Sequence, residues 1–259
     1  MIYIIIPLIA AALLYVLLFH NSRSGPIADE PLWHKPLLKH VSFYAPLNEK
    51  KQKIFRQRMA AFLEETYVDS VGFELEELDK ILVAASAVIP VFKFKEWRYS
   101  NLTGVVIYPD NFNANLGYKN KDPNRMIGGL IGTGRFEKQM ILSRKALYHG
   151  FMNDTDKLNT GIHEFVHLLD KIDGAVNGLP DAFLDKSYII PWLHLMHQEM
   201  EAIRRDESDI RSYAATNQAE FFAVSSEYFF SRPKLMRRKH PEIYKMLNLC
   251  FNPQRMKKK

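Results

Sequence analysis

Two histidines four residues apart, with a glutamate beside the first, form the stretch of this sequence best suited to chemistry: His163-Glu164-Phe165-Val166-His167. On an α-helix His163 and His167 share one face, so both imidazoles can reach a single metal ion. Zinc is the expected cofactor. It takes imidazole nitrogens, and a catalytic zinc needs three protein ligands and a position kept for water. Glu164 then lies next to that position, placed to accept a proton from the water. Asp170 lies within about 60° of both histidines on the helical wheel. Its spacing suits it to hold a ligand imidazole through the other ring nitrogen.

A third ligand has to come from elsewhere. No further histidine follows at the spacing of the Gly-containing metzincin pattern, which leaves acids on a later helix. The segment Asn217-Gln218-Ala219-Glu220-Phe221-Phe222-Ala223-Val224-Ser225-Ser226-Glu227 offers two, Glu220 and Glu227, seven residues apart on one face. Glu220 has two readings. Asn217 followed by Glu three residues later has capping-box spacing. The apolar residues around Glu220 would also bury its carboxylate, which then needs a partner such as a zinc ion.

The elements that carry these groups follow from apolar periodicity. A helix over about Thr155–Lys171 holds the histidines, while Leu158, Ile162, Phe165, Leu169 and Ile172 mostly point elsewhere and fix it in the core. Further helices are expected over about Asn48–Tyr67, Glu74–Ile89, Tyr188–Arg205 and Asn217–Phe230, with a short one after Pro241. The second of them should stop before Pro90. Val105–Tyr108 and Gln139–Leu142 read as strands, separated by a Gly- and Asn-rich functional loop, Asn111 to Arg135. By analogy with other zinc peptidases, the strand just ahead of the histidine helix, near Met140 to Ser143, is expected to pair with extended substrate backbone. Together these describe an α+β fold, mainly helical with a small sheet.

Composition sets the outer bounds. With 47% apolar and 25% charged residues over 259 positions, the chain is neither disordered nor collagenous. Its single cysteine, Cys250, excludes an internal disulfide and any multi-cysteine metal site. The net charge of +6 has no aromatic-interleaved basic stripe, so no nucleic-acid partner is expected; the basic C-terminus reads as a solvated end. Residues 1 to 19 carry no charge, and all of Ile2 to Phe19 are apolar or proline. That length nearly crosses a hydrocarbon core of roughly 30 Å. No basic residue precedes it and no small-residue cleavage site follows, so an anchor is favoured over a signal peptide. Arg23, Lys35 and Lys39 then place the catalytic domain on the cytoplasmic side. The expected division is a transmembrane anchor over 1–20, a linker over 21–46 and a metallopeptidase domain over 47–259.

Three segments carry a resemblance: His163 to Asp170, Asp173 to Pro180, and Tyr213 to Val224 continuing through Ser226 to Phe230. Weaker agreement lies at Ala84 to Pro90, Val106 to Asp110 and Ile141 to Ser143. Over about residues 47 to 250 the chain resembles the Mlc titration factor A family of zinc metallopeptidases, whose catalytic core is similar to that of anthrax lethal factor. The resemblance implies a zincin-like domain, zinc on His163, His167 and Glu220, and Glu164 as general base. It also implies that Tyr213 lies near the metal and assists catalysis. A peptide or protein substrate follows, with aminopeptidase and endopeptidase action both open. Familiar members are soluble, so the anchor is a departure. The first of them also bind a glucose-responsive transcriptional repressor. The expectation is therefore a membrane-anchored zinc peptidase, with a repressor-sequestering protein as the alternative.

Overall fold

The structure is a computed structural model that describes residues 31–253 apart from 119–125, 133, 154 and 181. Four strands form one mixed sheet: β1 (Tyr67–Ser70), β2 (Gly104–Tyr108), β3 (Gly129–Ile131) and β4 (Gln139–Ser143). Their spatial order is β1-β2-β4-β3, with β1, β2 and β4 parallel and β3 antiparallel to β4. β4 lies inside the sheet, and its residues from Met140 to Ser143 are all buried, as expected of a strand covered on both faces.

Nine helices of the described residues surround this sheet. They are α1 (His34–His40), α2 (Glu49–Glu65), α3 (Glu77–Val91), α4 (Arg144–Met152), α5 (Thr160–Asp170), α6 (Ile189–Arg204), α7 (Gln218–Ser231), α8 (Pro233–Lys239) and α9 (Pro241–Cys250). The fold is α+β and mainly helical. α3 is the crossover between parallel β1 and β2, and its residues from Ile81 to Val91 are all buried. It runs two residues past Ile89: Pro90 forgoes one backbone bond to the preceding turn, and burial of Pro90 and Val91 in the core offsets that loss. Its start is fixed by a capping box between Glu76 and Asp79. The fully buried Asp79 also accepts from Arg144 Nε at 2.7 Å, tying α3 to α4.

The stretch read as a linker holds more structure than its composition suggests. α1 lies within it, and Trp33, Leu37, Val41 and Tyr44 are buried in the core. This bears on the membrane. The expected anchor, residues 1–20, falls outside the described residues. Among the described residues no helix is long and apolar enough to cross a bilayer. The longest, α2, has 17 residues and carries Lys, Arg and Glu along its length, whereas a span needs about 20 mostly apolar ones. That finding overturns the single-pass location. The cytoplasmic orientation falls with it, since Lys35 and Lys39 are part of α1, which packs into the domain through Leu37.

Candidate active site

α5 is the element on which the site is built. Asn159 caps it, its side chain accepting from Ile162 N at 3.0 Å, an interaction typically worth about 1 kcal/mol. Every residue from Gly161 to Asp170 is buried. Phe165 packs edge-on against Phe62 and Tyr99 on the side of the core. Gly161 lets α5 approach α3 closely, since a Cβ there would collide with Ser86 Oγ. The helix is held from behind, and His163, His167 and Glu164 face a cleft.

Three side chains converge at the floor of that cleft. His163 Nε2 lies 3.0 Å from His167 Nε2, and Glu220 Oε2 lies 3.1 Å from the first and 3.5 Å from the second. Bonds of 2.0–2.1 Å to a tetrahedral ion hold its ligand atoms roughly 3.3 Å apart, so this triangle has the size of a metal face. The donor set of two imidazole nitrogens and a carboxylate oxygen suits a divalent metal. Glu220 Oε2 is also buried without a conventional hydrogen-bond partner, which a cation would supply. Asn217 does cap α7, accepting from Glu220 N at 2.9 Å. The cap uses the backbone of Glu220 and leaves its carboxylate for the histidines, so the two readings of this residue coexist.

A proton on His163 competes with a metal for this cluster. Burial opposes charging His163, but the Glu227 and Glu220 carboxylates outweigh it and lift its pKa to about 10. Burial likewise disfavours the Glu220 anion, yet the adjoining imidazoles of His163 and His167 hold it well below the usual carboxylate range. A metal must displace that proton, so binding weakens as the pH falls.

The other ring nitrogens are held differently from expectation. His163 Nδ1 pairs at 2.7 Å with Oε1 of Glu227, which is fully buried, so that once the ring is neutral Nε2, facing the cluster, carries the lone pair. Glu227 thus stands behind a histidine, and Glu220 stands beside both. Asp170, expected to hold an imidazole, accepts instead from Gly178 N at 2.8 Å and anchors the loop after α5. Its Oδ1 and His167 Nδ1 are both buried without a partner.

Glu164 packs under β3. A Cβ on Gly129 would come within 2.6 Å of both Cγ and Oε1 of Glu164, so only glycine lets the strand lie against this carboxylate. Burial raises the Glu164 pKa, opposed by the nearby histidines. Tyr213 stands on the 3₁₀ turn Ser212–Ala215 between α6 and α7, its ring 6.2 Å from that of His163. Burial and the Glu220 carboxylate push its phenol up to about 12. The cleft has a volume of about 1060 Å³, with β3 on one wall and residues of α6 and α7 on the other.

β3 also corrects the expected substrate strand. β4 is paired on both sides and has no free edge. The outer strand is β3, inside the segment read as a loop. Gly132 N donates to Gln139 O and Ser143 N to Gly128 O. In antiparallel alternation Gly128, Leu130 and Gly132 therefore turn their peptide groups toward β4, while Gly129 and Ile131 turn theirs to the open edge.

The five residues singled out for metal and catalysis, His163, Glu164, His167, Tyr213 and Glu220, all line this one cleft. Gly129 carries no sequence signal, because its contact with Glu164 joins elements distant in the chain. The chain is 31% identical to Mlc titration factor A of Cronobacter sakazakii over 237 residues, 87% of this chain and 85% of that protein. Mlc titration factor A of Yersinia pestis is 29% identical over 224 residues, 82% of this chain and 80% of that one. An uncharacterized Synechocystis protein is 26% identical over 236 residues, covering 86% and 85%. A family described as glucose-regulated metallo-peptidase M90 matches residues 21–252, a span that takes in α1, the whole sheet and the cleft. That match covers most of the chain, and the chain belongs to the M90 metallo-peptidase family.

Proposed function

We propose that the protein is a zinc-dependent peptidase with a zincin-like site, in which His163, His167 and Glu220 hold the metal. The observation that carries this reading is the 3.0–3.5 Å triangle of their donor atoms beside a buried glutamate that is not part of it. A zinc ion held there supplies Lewis-acid chemistry and lowers the pKa of water toward about 7. Glu164 accepts the proton of the attacking water on its carboxylate and passes it to the leaving amine nitrogen. Tyr213, a neutral phenol at pH 7, donates its hydroxyl in a hydrogen bond to the developing oxyanion. The outward peptide groups of Gly129 and Ile131 pair with an extended substrate backbone, as in strand addition to a sheet edge.

A second reading takes its support from the relatives' name. Proteins called Mlc titration factor A suggest that this chain binds a transcriptional regulator. A purely structural metal has no use for a buried base such as Glu164, which favours hydrolysis, and the same molecule can do both. The test of the peptidase reading is incubation of the zinc-loaded protein with a mixed peptide library and identification of products by mass spectrometry. Cuts that vanish on chelation support the reading; an unchanged library overturns it.

Gly129→Ala gives a second check. The new methyl group meets Glu164, so either the strand or the carboxylate must move. Peptide hydrolysis should fall by about tenfold or more, since misplacement of about 1 Å at a reacting group costs up to ~100-fold. Metal content should stay unchanged. Full activity in this variant would show that β3 does not press on the base.

A further inference from the structure

Arg211, two residues ahead of Tyr213, donates from Nη2 to Glu227 Oε1 at 2.6 Å. The same oxygen pairs with His163 Nδ1 at 2.7 Å, and Oε2 accepts from Asn159 N at 2.6 Å. Glu227 is fully buried, so its charge must be met inside the protein. A histidine that ligates a metal is neutral and cannot meet it. Arg211 can. Its Nε is buried without a hydrogen-bond partner, and the Nη2 pair with Glu227 is what ties down the guanidinium. The backbone of Arg211 also opens the 3₁₀ turn: Ala214 N donates to Arg211 O at 2.9 Å, and Tyr213 projects from that turn into the cleft.

We infer that Arg211 is a positioning residue serving two groups through one ion pair. Through Glu227 it orients the His163 ring for metal, and by the same pair it fixes the turn that carries Tyr213. The second half rests on the peptidase reading above; the first concerns metal binding alone. An arginine that merely braced the fold would stabilise the chain without acting on the metal through Glu227.

The test is a double-variant cycle read by metal affinity, using chelator competition with zinc and the absorption bands of cobalt in its place. Arg211→Met should weaken metal binding by about 10–100-fold, the range for loss of a partner behind a ligand. Glu227→Gln should do the same, and the double variant should bind no more weakly than Glu227→Gln alone. Arg211→Lys, which keeps the charge and loses the fork, should recover much of the affinity. If circular dichroism shows Arg211→Met unfolded, Arg211→Lys takes its place in the cycle, with a smaller loss that again disappears in the Glu227→Gln background. On a cleaved peptide, Arg211→Met should lower kcat with KM little changed, while Tyr213→Phe lowers kcat at wild-type metal affinity. Wild-type affinity in Arg211→Met, or losses that add in the double variant, would overturn the proposal. The metal readout needs no substrate, so absence of any cleaved peptide would count against the peptidase reading and leave Arg211 to be judged on metal alone.

Discussion

Glu164→Gln lowers peptide hydrolysis by about 10²–10⁴-fold, the contribution of a positioned acid–base group, or roughly 3–5 kcal/mol of barrier. Glutamine has the same shape and still fits beneath Gly129, so the packing that places this side chain survives. It has no carboxylate to accept a proton from the attacking water. Glu164 lies outside the triangle of His163, His167 and Glu220, so the variant should keep one metal per chain. The loss should therefore fall on kcat, with metal content and thermal stability near wild type. Equal kcat values for Glu164→Gln and wild type, at equal metal loading, would remove Glu164 from the chemistry.

The second large effect concerns the two acids of α7. Glu220→Gln should weaken metal binding by more than about 100-fold, because it removes a donor from the triangle itself. Glu227→Gln should stay within ~10–100-fold, the usual cost of losing a partner behind a ligand. The ranking follows from position. Glu220 Oε2 touches the cleft-facing nitrogens of both histidines, whereas Glu227 meets the pair through the far nitrogen of His163. The N-cap of α7 should survive Glu220→Gln, since Asn217 binds the backbone nitrogen of residue 220 and makes no use of its carboxylate. Chelator competition on the two variants checks the ranking; a reversed order would make Glu227 the ligand.

What the residue pattern discloses is whatever lies within one helix. His163, Glu164 and His167 owe their common face to helical geometry alone, and the structure places them together on α5. Glu220 was visible as an acid among apolar residues, but its pairing depends on α7 packing beside α5, which no local spacing encodes. Asp170 shows the limit of the wheel: facing the right way, it is taken by the backbone of Gly178 eight residues on. β3 is not legible in the sequence, because three residues between glycines have almost no strand pattern and only pairing with β4 makes them extended. The apolar run at residues 2–19 suggested a membrane location by its length, and among the described residues nothing supports one. α1 was hidden by its polar composition, although Trp33 and Leu37 bind it to the core.

Metal dependence is the claim on which the whole account turns. The direct measurement is to strip the protein with a chelator, dialyse the chelator away, and follow peptide hydrolysis as zinc is titrated back. Activity should be absent from the stripped protein, rise in proportion to bound zinc and level off at one ion per chain, in line with a single three-ligand site. Hydrolysis that persists undiminished in the fully stripped protein, or that ignores the added zinc, would contradict the account.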